Sequence, residues 1–442
     1  MHWLQRLTAR GRSALDALRG SYWFLPAVMT SLAGLAALAL VRLNVSLSLD
    51  GPLSWLILTD ADAARAVLSV IAGSMVTVTG LVFSINIVAL TLASTQFGPR
   101  LLRTFLRDRV NQLVFGAFTG TFLYSLIVLM AVTDQGVPRL ASALAVALAV
   151  LSLFVLIYFI HHTVTSIQAS SVIAGVAAEL QRQLTELFPE RLGQAAQDSG
   201  PDAVAGFIQA LADDGVALRA PGDGFIRVID QRALSTLVDS HDLQLLLTAR
   251  PGDFVAAGMV LGRVGPAAAV DARLCKELAG LFVLGGQRSA VQDLAFLIDQ
   301  LTEVAARALS PGVNDPRTAS ACTQQLGAVL CAVADRHMPA GARADEAGRL
   351  RVVAPALTFE RIAALALDPI RQYGAEHPEV VLTVFEVLRR VGDCCPAPVR
   401  RRLLREHLEA FHDAFGRSPA AAAATDAARV QEAFEQARDA LG

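Results

Sequence analysis

The chain has 442 residues, 54% of them hydrophobic and 18% charged, and a formal net charge of −2. With no basic excess it lacks the electrostatic footprint of a nucleic-acid binder, so no nucleic-acid partner is expected. The apolar excess lies in the first 165 residues and excludes an ordinary soluble domain there; the remaining residues are enough for one or two soluble domains.

Four segments, near 24–43, 67–95, 112–132 and 140–160, have the roughly 20 apolar residues needed to cross a bilayer. The first is too long for a cleaved signal and lacks a small-residue cleavage site. Tyr22 and Trp23 stand at its entry, where aromatic rings favour the interface. Arg6, Arg10, Arg12 and Arg19 precede the first segment, and Arg100, Arg103, Arg107 and Arg109 follow the second. The intervening 44–65 loop carries Asp50, Asp60 and Asp62 against Arg65. This asymmetry predicts both termini in the cytoplasm. No ionisable side chain lies mid-segment, which argues against a proton relay.

The second segment carries an organised polar stripe. Gly73, Thr77, Gly80, Ser84, Thr91 and Thr95 recur mostly at three- or four-residue steps, and Asn86 belongs to a thinner stripe with Thr79 and Ala93. Small residues so spaced either let helices approach closely or line a wet pore. The segment is expected to continue as a cationic amphipathic helix through "RLLRTFLRDR". The fourth segment is expected to leave the membrane as a polar stalk, with His161 and His162 at the water boundary. Adjacent helical residues point about 100° apart, so these two are poor co-ligands.

Residues 200–223 read as a loop-rich linker. "GFIRVID" and "DLQLLLTARPGDFVAAGMVLGRVG" then give short strand-type runs broken by turn residues. "PGDFVAAGMVLGRV" resembles the hairpin of lipoyl- or biotinyl-like domains, with "GFIRVI" as a facing strand. The single lysine, Lys276, lies outside that hairpin, so no carried cofactor is expected. From about 271 the pattern is helical. Val291, Leu294, Ile298, Leu301, Ala305 and Ala308 form an inward seam, with Asp299, Glu303 and Arg307 on another face. In "LSPGVNDPRTAS", Asp315 before Pro316 has the form of a helix N-cap. Arg288, Asp293, Asn314 and Asp315 are candidates for a polar pocket. The C-terminal "ARVQEAFEQARDAL" reads as a polar helix, a candidate tail or oligomer contact. The five cysteines include vicinal Cys394 and Cys395 but no CxxC pair, and read as free thiols. No catalytic or metal motif is present, so neither an enzyme nor a metal site is expected.

"FSINIVALTLASTQFGPRLLRTF", "GTFLYSLIVL" and "GGQRSAVQDLAFLIDQLTEVAARALSPGVNDPRTA" resemble a bacterial family of predicted membrane proteins, domain of unknown function 2254. The matching positions are Phe83, Ser84, Gln96, Phe97, Gly98, Pro99 and Arg100, then Arg288, Gln292, Asp293, Arg307, Ser310, Pro311, Asn314, Asp315, Pro316 and Thr318. Gln96, Gly98, Pro99 and Arg100 form a membrane-interface motif. The resemblance implies four spans and a cytosolic C-terminal region, and carries no activity.

The expected architecture is mainly α: a cytosolic segment 1–23, a four-helix transmembrane domain 24–165 and a stalk and linker 166–214. A small lipoyl-like β-sandwich at 215–268 and a cytosolic helical domain at 269–442 follow. Together these point to a homo-oligomeric, channel-like protein whose partners are the bilayer and its own copies. A membrane-anchored sensor or scaffold is the alternative.

Overall fold

The computed structural model describes residues 23–43, 60–98, 108–134, 136–187, 201–336, 341–345 and 347–442. The chain divides into two compact units, Met1–Ser171 and Val172–Gly442.

In the first unit, four helices among the described residues are long and apolar enough to cross a membrane: α1 (Phe24–Leu43), α2 (Ala61–Phe97), α3 (Arg109–Met130) and α4 (Arg139–Ser166). Asp60 and Asp108 cap α2 and α3 by accepting bonds from the backbone N–H groups of Ala63 and Val110. Helix α2 ends at Phe97 because Gly98 turns to φ 96° and is followed by Pro99. It therefore does not run on unbroken into the arginine-rich segment; Pro99, Arg100 and 101–107 lie outside the described residues, as do 1–22 and most of the 44–65 loop.

Helix α3 packs against α1, α2 and α4. A side chain at Gly116 or Gly120 would collide with Met29 or Ala33 of α1, and one at Gly34 of α1 would meet Leu123. The spacing of Gly116 and Gly120 is the small-residue motif that lets membrane helices approach closely. It stands in the sequence as "GAFTG". Hydroxyls add cross-links: Thr30 to Thr119 at 2.7 Å, Thr121 to Ser152 at 3.3 Å, and Tyr124 to the Ala141 carbonyl at 3.0 Å.

The second unit mixes two small sheets with a helical array. Helix α5 (Ala169–Leu187) is separated from α4 by a break at Ile167–Gln168. Far from a bare stalk, it buries Val172, Ile173, Val176, Leu180 and Leu184. Its Leu184 carbonyl accepts from Arg336, and Gln183 donates to the Ala290 carbonyl. The expected linker is also ordered. Helix α6 (Pro201–Asp214) packs Val204, Phe207 and Leu211, an i, i+3, i+7 stripe, against Leu246 and Val353.

Strands β1 (Val216–Arg219), β2 (Gly224–Ile229), β3 (Gln244–Leu247), β4 (Phe254–Val255), β5 (Val260–Gly265), β6 (Phe282–Gly285), β7 (Ala342–Ala344) and β8 (Leu350–Val353) form two sheets. Their orders are β1-β5-β3-β8-β7 and β4-β2-β6. Helices α7 (Gln231–Ser240) and α8 (Ala272–Ala279) lie between strands, and Leu234, Val238, Leu274 and Leu278 share the strands' core.

Two expectations change here. The "PGDFVAAGMVLGRV" run is not a hairpin: β4 pairs with β2, whereas β5 pairs with β1 and β3. Gly258, at φ 81°, turns the chain between the sheets, and Ala220 and Asp223 hold the turn. The expected partnership of "GFIRVI" with this run does form, as β2 with β4. Nor do the strands end at 268, since β6 and the β7–β8 pair come from later in the chain. Strand β8 joins β3 in parallel, and buried Arg351 pairs there with Asp242 and with Asp345.

Helices α9 (Leu294–Ala308), α10 (Pro316–Ala334), α11 (Phe359–Gly374), α12 (Pro378–Asp393), α13 (Pro398–Gly416) and α14 (Ala424–Leu441) complete the unit. The α9 seam is buried as expected except for Val291, which is exposed. The terminal helix is not a free tail. It buries Val430, Phe434, Ala437 and Leu441, and Leu441 lies against Gly392 of α12.

Candidate functional site

The stripe on α2 has a definite direction. Ala64, Leu68, Ile71, Met75, Val82, Ala89 and Ala93 are buried against the other apolar helices. Gly73 and Thr91 each lie nine residues from Val82, about 180° around the helix. Gly73, Thr77, Gly80, Ser84, Thr91 and Thr95 are all exposed, on the face turned away from the bundle. A Cβ at Gly73 or Gly80 would meet no atom within 4 Å. The threonines bond to their own helix: Thr77 to the Gly73 carbonyl, Thr91 to Ile87 and Thr95 to Leu92, at 2.9–3.1 Å. Asn86 lies off this face, half-buried. Of the interface motif, Gln96 is exposed and Gly98 buried, while Pro99 and Arg100 lie outside the described residues.

The positions also fit a period the sequence reading did not use. Gly73, Thr77, Gly80, Ser84, Ile87, Thr91 and Ser94 alternate steps of four and three, the 3.5-residue repeat of left-handed helix packing.

At the opposite end of the first unit from Arg65 and Asp134, which pair at 2.6 Å, Asp108 caps α3 and contacts His162 of α4 at 2.5 Å. His161 points elsewhere and is exposed.

The candidate pocket in the second unit divides into two places. Arg288 holds Asp293 at 2.8 Å and Asp299 at 2.6 Å, and stacks over Phe296. Burial lowers its pKa, but the hydrogen bonds and charges of the two carboxylates outweigh this and raise it. Asp293 caps α9 through the Phe296 N–H and lies against Gly252, whose φ is 95° and where any side chain would strike the carboxylate. Beside it, the Gln292 amide accepts from the Ile229 N–H and donates to the Ile229 carbonyl, as a neighbouring strand would. These residues tie the sheet β4-β2-β6 to α9.

Asn314 and Asp315 stand at the other end of α9, which at 15 residues is about 22 Å long. Asp315 caps α10, accepting from the Thr318 N–H at 3.1 Å and the Thr318 hydroxyl at 2.6 Å. The hydroxyl bond foremost holds its pKa below the usual carboxylate range, against a smaller contribution from burial. Asn314 adopts φ 49°, and the Asp315 N–H closes onto the Ala308 carbonyl at 2.7 Å. Arg307 pairs with Glu303 at 3.6 Å, while Asp299 is taken by Arg288.

Four long apolar helices joined to a mixed α/β unit define a membrane protein with a large polar portion. The family model described as "Predicted membrane protein (DUF2254)" matches residues 19–390. The chain belongs to that family. It is 33% identical over 403 residues to an uncharacterized protein of Mycobacterium bovis and to one of Mycobacterium tuberculosis, covering 89% of this chain and 75% of each relative. No solved structure matches the chain.

Proposed function

We propose that the protein is a homo-oligomeric, channel-like protein of the bacterial inner membrane, with both termini cytoplasmic and the second unit serving assembly or gating. The observation that carries this reading is the direction of the α2 stripe: its small and hydroxylated residues face away from every other apolar helix of the same chain. A polar face turned to lipid gains nothing, whereas the same face on an axis shared by several copies meets either neighbouring helices or water. Four spans cannot enclose a lumen alone, so permeation requires several subunits. The self-satisfied threonines favour a second reading, a scaffold in which the stripe is only an adhesive seam, because such hydroxyls need no water. Neither reading involves catalysis. Within the strand region, two sheets around one core support a sandwich used for packing rather than for carrying a cofactor.

The test replaces the five native cysteines and introduces Ser84→Cys, with buried Val82→Cys as control. In liposomes, a small, charged, membrane-impermeant thiol reagent modifies the first, alters ion flux and spares the second. An inert Ser84→Cys together with a Ser84→Leu that breaks assembly selects the scaffold. Topology is tested separately: a reporter fused after Gly442 is active in the cytoplasm, and a tag in 46–60 is accessible from outside.

A further inference from the structure

Helices α10 and α12 run side by side in the same direction. The hydroxyls of Ser320 and Thr383 lie 3.1 Å apart, and further along both helices Gly327 abuts Val387. Cys331 lies eleven residues after Ser320, and Cys394 lies eleven after Thr383. Eleven residues make three helical turns to within about 20°, a rise of about 16 Å. Cys331 therefore faces α12 at the level where Cys394 faces α10, provided that Cys394 is still helical. It is: as the C-cap of α12 it keeps φ −85° and ψ −7°. Ser320 beside Thr383 and Gly327 beside Val387 fix this register, so the two thiols are neighbours across the α10–α12 contact.

Their environments differ. Cys394 is exposed and Cys331 half-buried. Cys395 is buried, and its thiol turns toward the Ala397 carbonyl at 3.8 Å. The vicinal pair in the sequence is thus not the pair in space.

We propose that Cys331 and Cys394 are a modification site, a dithiol that a peroxide converts to an intramolecular disulfide joining α10 to α12. The Cys394 sulfur attacks the peroxide O–O bond, giving a sulfenic acid and releasing water (an alcohol if the peroxide is organic). The Cys331 sulfur then attacks the Cys394 sulfur and displaces its oxygen as a second water, which takes the Cys331 proton. Two electrons pass from the two sulfurs to the peroxide oxygens. Burial pushes the Cys331 thiol up to about 12, with the Cys394 thiol adding to the rise, so the exposed Cys394 reacts first and Cys331 resolves it. Dithiothreitol reverses the bond.

The experiment treats the full-length protein in detergent with hydrogen peroxide, blocks free thiols with iodoacetamide and maps peptides. One linked pair containing Cys331 and Cys394 is expected, with an intact mass lower by two hydrogens and both changes undone by dithiothreitol. Cys331→Ser gives no linked pair and leaves Cys394 trappable by dimedone, while Cys395→Ser keeps the link. The proposal is overturned if oxidised Cys394 links to Cys395 or to a second chain. It is equally overturned if Cys394 is fully oxidised while Cys331 stays free. The wild-type mapping alone decides this, so a variant that fails to fold does not blur the outcome.

Discussion

On α3, the spaces beside Gly116 and Gly120 are filled by Met29 and Ala33 of α1; on α2, the spaces beside Gly73 and Gly80 contain no atom. Both helices carry small residues at helix-contact spacing, and both are flanked by threonines that bond to their own backbone, Thr119 to Phe115 and Thr77 to Gly73. The chemistry is shared and the placement is opposite. Small residues do not by themselves assign a face to the interior. Larger residues decide: on α2, the core face belongs to Leu68, Met75 and Val82, and the glycines are left outside. On α3, Phe115, Phe118 and Val114 fill the sides, so the glycine edge is where α1 can come closest.

The sharpest way to break this contrast is to add bulk on both helices. Gly116→Leu with Gly120→Leu forces side chains into Met29 and Ala33, and overpacking at two sites costs roughly 3 kcal/mol. Thermal unfolding in detergent reads this as a large loss of melting temperature; an unchanged value means that α1 and α3 do not meet there. Gly80→Leu has space around it and a better helix former than glycine, by about 0.7 kcal/mol or a little more. The isolated subunit keeps its stability, and subunit cross-linking falls if copies meet on that face. Cross-linking at wild-type level would leave the outward stripe without a partner.

Hydroxyls extend the comparison at smaller scale. Tyr124→Phe removes the bond to the Ala141 carbonyl between α3 and α4 and costs about 1 kcal/mol. Thr91→Ala removes a bond within α2 only and leaves unfolding unchanged. Acid gives the smallest effect and separates the two units. Burial pushes the Asp345 carboxyl up, but the hydrogen bonds from Arg349 and Arg351 together outweigh it and hold it down to about 2. Its folded pKa lies below the unfolded value of about 3.9, so its contribution is present above that value and disappears as pH falls toward 2. Hydrogen exchange at β7 and β8 rises in that window, while the α1–α3 contact, which carries no charge, stays protected.

Much of this was legible locally. Hydropathy located the four apolar helices, and Asp315-Pro316 announced the start of α10. The α9 seam followed from 3.6-residue periodicity, apart from Val291. What failed was non-local. Nothing near Leu245 signals that Val352, more than a hundred residues later, pairs with it in parallel. The C-terminal helix α14 was expected, but its polar composition hid the buried face formed by Val430, Phe434, Ala437 and Leu441; in the supposed linker, Val204, Phe207 and Leu211 at helical spacing went unread altogether. Arg288, Asp293, Asn314 and Asp315 suggested one polar pocket. Arg288 and Asp293 do pair, but Asn314 and Asp315 stand at the far end of α9, and Asp299 and the Ile229 backbone are neighbours that only folding brings to Arg288 and Gln292.

The length of α2 turns the first unit into a depth gauge. Arg65 with Asp134 marks one polar layer, and Asp108 with His162 the other. Phe83 meets Phe115 on antiparallel α3, their ring centres 6.0 Å apart, so the level of Asp108 corresponds to a point seven residues past Phe83, at Leu90. From Arg65 to Leu90 the helix climbs about 37 Å, slightly more than a hydrocarbon layer. Gly73, Thr77, Gly80 and Ser84 lie between the two marks, whereas Thr91, Thr95 and Gln96 stand above the second. The outward face is therefore graded with depth, two glycine notches alternating with the hydroxyls of Thr77 and Ser84 between the marks, and two threonines and one amide beyond the second.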